Sequence, residues 1–248
     1  MSHGRTRVLR AIVTDVVEGR LRPGDALVPA DVLARRFGVA VEVAAAAMRH
    51  VESRGLATRS ADDGLSVAPE AAWDVLDPDI LDALLASGHG PAVLAEYLEY
   101  RRVVEVTAAG LAAEHATETQ LAVLSDCLAA MIEAAGEGTP EAETRFHKAD
   151  VAFHQALIAA AGNRPLELAT DAMRSALCSA RRLLACPDRR DECGLPEHQR
   201  ILAAVAQGDP ESAREAMAAH LDTVEAYLRE LAGRPGWASQ TRGGPDDR

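Results

Sequence analysis

Apolar side chains recur at helical spacing through most of this chain. Between residues 5 and 19 they fall on one face of a predicted helix, at Val8, Ile12, Val13, Val16 and Val17. Proline and glycine in the segment 21–25 end that helix. The pattern then predicts a short helix over 30–37, closed by Gly38, and a third helix over 39–54.

Two short extended segments follow the third helix. They are predicted at 56–58 and 65–67, and Asp62-Asp63-Gly64 between them is typical of a hairpin turn. Three helices followed by a small hairpin predict a winged helix-turn-helix, which is a DNA-binding arrangement.

The remainder of the chain is predicted to be helical. The fold class is therefore mainly α, with an N-terminal winged helix-turn-helix (1–68), a linker (69–78), an all-helical antiparallel bundle (79–232) and a disordered tail (233–248). Within the bundle we expect helices over 79–87, 91–116, 118–136, 140–161, 164–185, 196–207 and 210–232.

Composition agrees with a helical protein, because 48% of the residues are hydrophobic but only 3% are aromatic. No apolar run is long enough for a membrane span and no apolar signal core opens the chain, so we expect a soluble, cytoplasmic protein without a membrane partner. The cysteines have no short paired spacing, which favours reduced thiols at Cys127, Cys178, Cys186 and Cys193.

Charge is distributed unevenly along the chain. Residues 1–60 hold ten arginines and six acidic residues, whereas the rest holds 16 basic and 32 acidic residues within a net charge of -12. A basic head on an acidic body indicates that only the head meets a polyanion such as DNA.

Several sequence segments together resemble the GntR family, in its FadR-like branch with an FCD ligand-binding domain. The resemblance covers residues 5–232. In the head it rests on Leu21-Arg22-Pro23-Gly24-Asp25-Ala26-Leu27, Leu33-Ala34-Arg35-Arg36-Phe37-Gly38-Val39 and Glu52-Ser53-Arg54-Gly55-Leu56. In the body it rests on Trp73 to Pro78, Glu99 to Glu105, and Asp150-Val151-Ala152-Phe153-His154 followed by Ala161-Gly162-Asn163.

A candidate metal site lies in the body. Asp150 and His154 are four residues apart and therefore project from one helical face. The resemblance implies that His198 and His220 join them inside the bundle. Such a set suits a divalent transition metal, zinc first, with nickel, manganese or cobalt as alternatives. Taken singly, each histidine would more often be a surface or core residue.

The resemblance also implies that an arginine in the first long bundle helix, Arg101, faces the ligand. A guanidinium can grip a carboxylate in a bidentate way, so the metal and Arg101 together would select a small organic acid. The alternative is an exposed Arg101 paired with Glu105 one turn later. Spacing alone does not decide whether Arg101 or Arg102 points inward.

The predicted recognition helix departs from the family pattern. The two arginines common after the turn valine are absent, and alanines and valines take their place. Only Glu42 can read a base there, toward a cytosine amine, while the candidate phosphate contacts are Arg35, Arg36, Arg49, Arg54 and Arg59. Either the head binds DNA through arginines of the second helix, the wing and the N-terminal arm (Arg5 and Arg7), or its DNA binding is weak or lost.

The leading hypothesis is a transcriptional regulator, not an enzyme, that binds an operator as a homodimer and responds to a sugar acid or hydroxy acid. The homodimer and the acid are implied by the resemblance. A metalloenzyme is the first alternative, with Glu197 as its only candidate base, although a neighbour of His198 should face away on a helix. A helical protein whose histidines are incidental is the second.

Overall fold

The computed structural model describes residues 2–59, 64–172 and 194–232. These residues form ten α-helices and one small antiparallel sheet. The helices are α1 (Ser2–Val17), α2 (Ala30–Phe37), α3 (Val41–Ser53), α4 (Pro78–Ala86), α5 (Gly90–His115), α6 (Glu118–Ala135), α7 (Pro140–Ala160), α8 (Arg164–Ala172), α9 (Leu195–Ala206) and α10 (Pro210–Ala232); the strands are β1 (Ala57–Arg59) and β2 (Leu65–Val67). The mainly α fold class is confirmed.

The chain divides into two compact units, the first ending at Gly90 and the second beginning at Pro91. In the first unit, α1 packs against α3 and α4, and α2 packs against α3. The apolar face predicted for the first helix contributes Val8 and Val13 to its core, and Val51 of α3 is fully buried as well.

The wing of the first unit is the β1–β2 hairpin. Ala57 pairs with Val67 and Arg59 with Leu65, and an isolated bridge from Ala26 to Ser66 adds a third extended segment beside β2. Three helices followed by this hairpin make the winged helix-turn-helix that the pattern predicts. The turn residues Asp62 and Asp63 lie outside the described residues.

Helix boundaries agree with the sequence pattern to within a few residues. Gly38 closes α2 with φ +63°, and its N–H donates to the carbonyl of Ala34, as expected for a left-handed cap. The third helix begins at Val41, two residues later than predicted, because Ala40 keeps an extended backbone.

The segment predicted to be a linker, 69–78, lies against the end of α3. The N–H of Asp74 donates to the carbonyl of Arg54 at 2.8 Å, and the guanidinium of Arg54 pairs with the Asp74 carboxylate at 3.1 Å. This segment and α4 therefore belong to the first compact unit, which extends to Gly90. The predicted division into 1–68, 69–78, 79–232 and 233–248 stays a prediction about functional domains.

The second unit is a helical bundle. Helices α6 and α7 pack against each other, as do α9 and α10, and α9 also packs against α6. Large side chains that fill its core include Leu124, Met131, Phe153, Leu157, Ile201, Met217 and Leu221. The described part of the helix predicted over 164–185 is α8. Residues 173–193, with three of the four cysteines, and the tail 233–248 lie outside the described residues.

Within the described residues, no helix is both long and apolar enough to cross a membrane. Cys127 is a half-buried free thiol in α6. Burial first, and the neighbouring charge of Asp126 second, raise the pKa of this thiol, which keeps it in the unreactive protonated form.

Candidate metal and effector site

Three helices of the second unit bring the predicted metal ligands together. Helix α7 carries Asp150 and His154, the first turn of α9 carries His198, and α10 carries His220. The imidazoles are 1%, 2% and 5% exposed, respectively. The helical spacing thus places all three histidines in the interior, where a polar side chain needs a partner.

The polar atoms of these residues converge. His154 Nε2 lies 3.3 Å from His198 Nε2, and Asp150 Oδ1 lies 3.2 Å from His198 Nε2 and 3.6 Å from His154 Nε2. One ring nitrogen from each of the three histidines falls within 4.8 Å of the other two. The structure therefore gathers all four predicted residues around one point.

The opposite nitrogen of each ring lies close to an oxygen atom. His154 Nδ1 lies 2.8 Å from Glu105 Oε2, His220 Nδ1 lies 2.9 Å from Glu197 Oε2, and His198 Nδ1 lies 2.6 Å from the carbonyl of Gly194. Each ring therefore turns its Nε2 atom away from these oxygen atoms, as metal-binding histidines commonly do.

Electrostatics favour an ionised aspartate and a neutral histidine here. Burial alone would raise the pKa of Asp150, but hydrogen bonds and charges from His154 and His198 hold it well below its usual value. Burial, followed by the neighbouring imidazoles and Arg101, pushes the pKa of His220 well below that of a free histidine. Carboxylate and neutral imidazole are the protonation states that bind metal ions.

The donor set fits a divalent transition metal. Three imidazole nitrogens and one carboxylate oxygen are typical ligands of zinc, and they also suit nickel, manganese and cobalt. Asp150, His154, His198 and His220 would hold such an ion, which would bind water or a ligand oxygen by expanding to five or six coordination.

Arg101 points into the same interior. It is 2% exposed, and its Nε donates to Glu105 Oε1 at 2.9 Å while its Nη2 donates to Oε2 at 3.4 Å. The pairing with Glu105 considered from the sequence exists, but it is buried. Arg102 instead lies on the surface and pairs with Asp222 of α10 at 2.5 Å. Arg101, and not Arg102, therefore points inward.

From its position next to His198, Glu197 was expected to face away from the site. The structure instead turns it inward. It is 7% exposed, its Oε2 lies beside His220, and its Oε1 accepts from the Thr223 hydroxyl at 2.6 Å. The first turn of α9 lies against α10, so Glu197 reaches one helix while His198 reaches the shared point. The four-residue spacing from Arg101 to Glu105 was visible in the sequence, but nothing there paired Glu197 with His220.

A second group of possible ligands, His50, Asp77 and Asp79, lies in the first unit. Asp77 Oδ2 is held by His50 Nε2 at 3.1 Å and Arg54 Nε at 3.2 Å, and Oδ1 accepts from the N–H groups of Asp79 and Ile80. The Asp77 carboxylate is thus satisfied by His50, by Arg54 and by its role as the cap of α4, so this group is structural.

The predicted DNA-binding residues are on the surface of the head. Arg35 pairs with Asp31 at 3.0 Å, and the guanidinium of Arg36 lies 5.4 Å from the ring centre of Phe37. Glu42 in the first turn of α3 and Arg49, seven residues later on the same helical face, are both exposed.

Comparison with known proteins identifies the second unit. The FCD domain family matches residues 96–223, more than half of the chain and all four candidate metal ligands. The chain belongs to the GntR family, with an FCD domain. LutR, a transcriptional regulator of Bacillus subtilis strain 168, is 32% identical over 220 residues, covering 86% of this chain and 95% of that protein.

A further relative supports the assignment, and a solved structure shares the fold. The galactonate operon transcriptional repressor of Escherichia coli K12 is 26% identical over 229 residues, covering 91% of this chain and 96% of that protein. The solved structure of Lar, which controls expression of the agr system in Listeria monocytogenes, has a TM-score of 0.62 at 16% identity and covers 92% of this chain and 97% of its own. This GntR-family chain is therefore a transcriptional regulator and not an enzyme.

Proposed function

We propose that this regulator represses transcription, and that a small organic acid, either a sugar acid or a hydroxy acid, relieves repression by binding at a metal centre. The proposal rests on one observation. Asp150, His154, His198 and His220 lie close together in the interior, near the buried guanidinium of Arg101. The galactonate named for the Escherichia coli relative makes that sugar acid the first candidate to test.

The chemistry of the site suits a carboxylate with a second oxygen. An ion held by these four ligands would take up acid oxygens by expanding to five or six coordination, zinc being the first choice and nickel, manganese or cobalt alternatives. Arg101 directs Nε and Nη2 at Glu105, and a guanidinium carries five N–H donors in all, so donors remain for the acid. Positive charge from both the ion and Arg101 would favour an anionic effector.

Metal content and acid binding test the proposal together. Wild-type protein should hold about one ion per chain, and calorimetric titration with galactonate or lactate should give binding that disappears after the metal is stripped with a chelator. R101M should weaken acid binding roughly tenfold or more, since a hydrogen bond to a charged group contributes about 1.5–3 kcal/mol. R102M is the matched control, because Arg102 faces Asp222 and Glu225 on the surface.

The head is proposed to bind operator DNA as part of a homodimer. Arg35, Arg36 and Arg49 would contact phosphates, while Glu42 in the first turn of α3 would accept a hydrogen bond from a cytosine amine. Two copies would place two α3 helices on two half-sites of an operator.

A second candidate function is a metal-dependent acid sensor whose DNA binding is weak or lost. It is favoured by the outer surface of α3, where Val41 is 47% exposed and arginine is absent from the first two turns. Arg35 also pairs with Asp31, and Arg59 pairs with Glu52, so each presents less net positive charge to DNA. Binding of DNA from the regulator's own upstream region separates the two candidates.

A further inference from the structure

Two glutamates in the second unit are buried although both are ionisable. Glu105 of α5 is 1% exposed and Glu197 of α9 is 7% exposed. Burying a carboxylate is costly unless it is paired or hydrogen-bonded, so the partners of these two groups are informative.

Glu105 connects the arginine to a metal-ligand candidate. Its Oε2 lies 2.8 Å from His154 Nδ1, while its Oε1 accepts from Arg101 Nε at 2.9 Å. One carboxylate therefore contacts the imidazole and accepts a hydrogen bond from the guanidinium.

Glu197 makes an equivalent connection between α9 and α10. Its Oε2 lies 2.9 Å from His220 Nδ1, and the Thr223 hydroxyl donates to Oε1 at 2.6 Å. Thr223 lies three residues after His220, so the carboxylate is supported by one helical face of α10. The carbonyl of Gly194 completes the pattern by accepting from His198 Nδ1 at 2.6 Å.

We propose that Glu105 and Glu197 are positioning residues of the metal site: they hold the proton of His154 and His220 on Nδ1 and so present Nε2 to the ion. Glu105 in addition holds Arg101 in place for the acid. This inference rests on the proposed metal site. A carboxylate behind a metal-bound imidazole fixes the tautomer and orientation of the ring and raises its basicity.

The first experiment measures Co²⁺ affinity by competition with a chelator in full-length wild-type, E197A and E197Q proteins. E197A should bind Co²⁺ about 10–100-fold more weakly, the usual effect of losing such a partner. E197Q should retain most of the affinity, because its amide oxygen can still accept from Nδ1. Glu215 is exposed on α10, so E215A is the matched control and should bind like the wild type.

Histidine tautomers provide a readout that a purely structural role would not change. Nitrogen NMR of the metal-free protein near pH 7.5 should place the proton of His154 and His220 on Nδ1 in the wild type. In E197A, His220 alone should lose this preference.

For Glu105, E105A is compared with the double variant R101M/E105A, which removes the buried positive charge that E105A would leave behind. Both variants should bind Co²⁺ more weakly than the wild type. The double variant should do so although it no longer buries an unpaired charge.

The outcomes separate the two proposals. Wild-type protein that binds no Co²⁺ would overturn the metal site itself, and the positioning role with it. Wild-type and E197A proteins of equal Co²⁺ affinity, or a His220 tautomer that E197A leaves unchanged, would overturn the positioning role alone.

Discussion

The buried imidazole of His220 shows how this site is prepared at the level of single residues. It is 5% exposed, and it lies near two other imidazoles and Arg101, all of which oppose its protonation. Its neutral form is therefore the one that the folded protein favours, and a neutral imidazole can donate a lone pair to a metal ion.

The lowered pKa of His220 makes the stability of the metal-free protein depend on pH. The unfolded chain binds a proton at this residue near pH 6.5, whereas the folded chain binds it only at lower pH. The contribution of His220 to the free energy of unfolding is therefore full above about pH 6.5 and falls at lower pH, by at most about 1.4 kcal/mol per pH unit.

Urea unfolding at pH 7.5 and pH 5.5 in the presence of a chelator measures this dependence. The loss of stability between the two pH values should be smaller in H220N than in the wild type, because the asparagine does not titrate. Equal losses in the two proteins would show that His220 is not the group responsible.

At the scale of elements, the segment 69–78 is anchored to the end of α3. Asp77 is its buried anchor: one carboxylate oxygen caps α4, and the other contacts His50 and Arg54. A buried charge with these partners should be much more sensitive to substitution than an exposed one.

We therefore expect D77N to lower the free energy of unfolding by about 1–3 kcal/mol, because His50 and Arg54 lose the buried carboxylate that they contact. D77A should cost about 1 kcal/mol more, because the cap of α4 is lost as well. Urea unfolding measures both changes. D74N is the control: Asp74 is 34% exposed, and an exposed pair contributes only about 0–1 kcal/mol. Equal effects of D74N and D77N would contradict the anchoring role.

The close contact at Gly55 gives a second prediction for the same segment. Gly55 has φ +71°, and a Cβ there would collide with the backbone oxygen of Ala72. Gly38 has φ +63° but open space around it. G38A should therefore cost about 1–2 kcal/mol for the backbone conformation alone, whereas G55A should cost clearly more.

Thermal or urea unfolding of the two alanine variants makes the comparison. The quantity to compare is the difference in free energy of unfolding between G38A and G55A, because both variants replace a glycine that has a positive φ. A G55A variant as stable as G38A would mean that the segment after β2 moves away from α3 without cost.

How far the sequence determines the structure differs between elements. Helical periodicity located α2 and α10 to the residue, and the four-residue spacing of Asp150 and His154 predicted their shared face. The roles of Glu197 and Asp77 could not be predicted, because each depends on a partner far along the chain, His220 and His50 respectively. Periodicity reports which face of a helix is buried, not which polar atoms meet there.

At the scale of the whole molecule, the regulator combines a basic head with an acidic body. The arginines of the head should contribute to DNA affinity mainly through phosphates, which makes binding depend on salt. R49A should weaken binding to all DNA sequences alike and reduce the salt slope by about one. E42Q should instead alter the preference for one base pair.

Fluorescence anisotropy with the upstream DNA and a scrambled duplex at two salt concentrations checks this division of roles. R35A and R36A should behave like R49A. If R49A changed sequence preference while E42Q changed only overall affinity, the assignment of the two residues would be reversed.

We propose above all that an acid bound at the metal centre controls DNA binding by the head. The most direct measurement adds galactonate to the complex of the wild-type protein with its upstream DNA and follows anisotropy, with metal-loaded and metal-stripped protein in parallel. The acid should release the DNA from the metal-loaded protein and have little effect on the stripped protein. Release that is independent of metal, or DNA binding that no sugar acid or hydroxy acid alters, would contradict it.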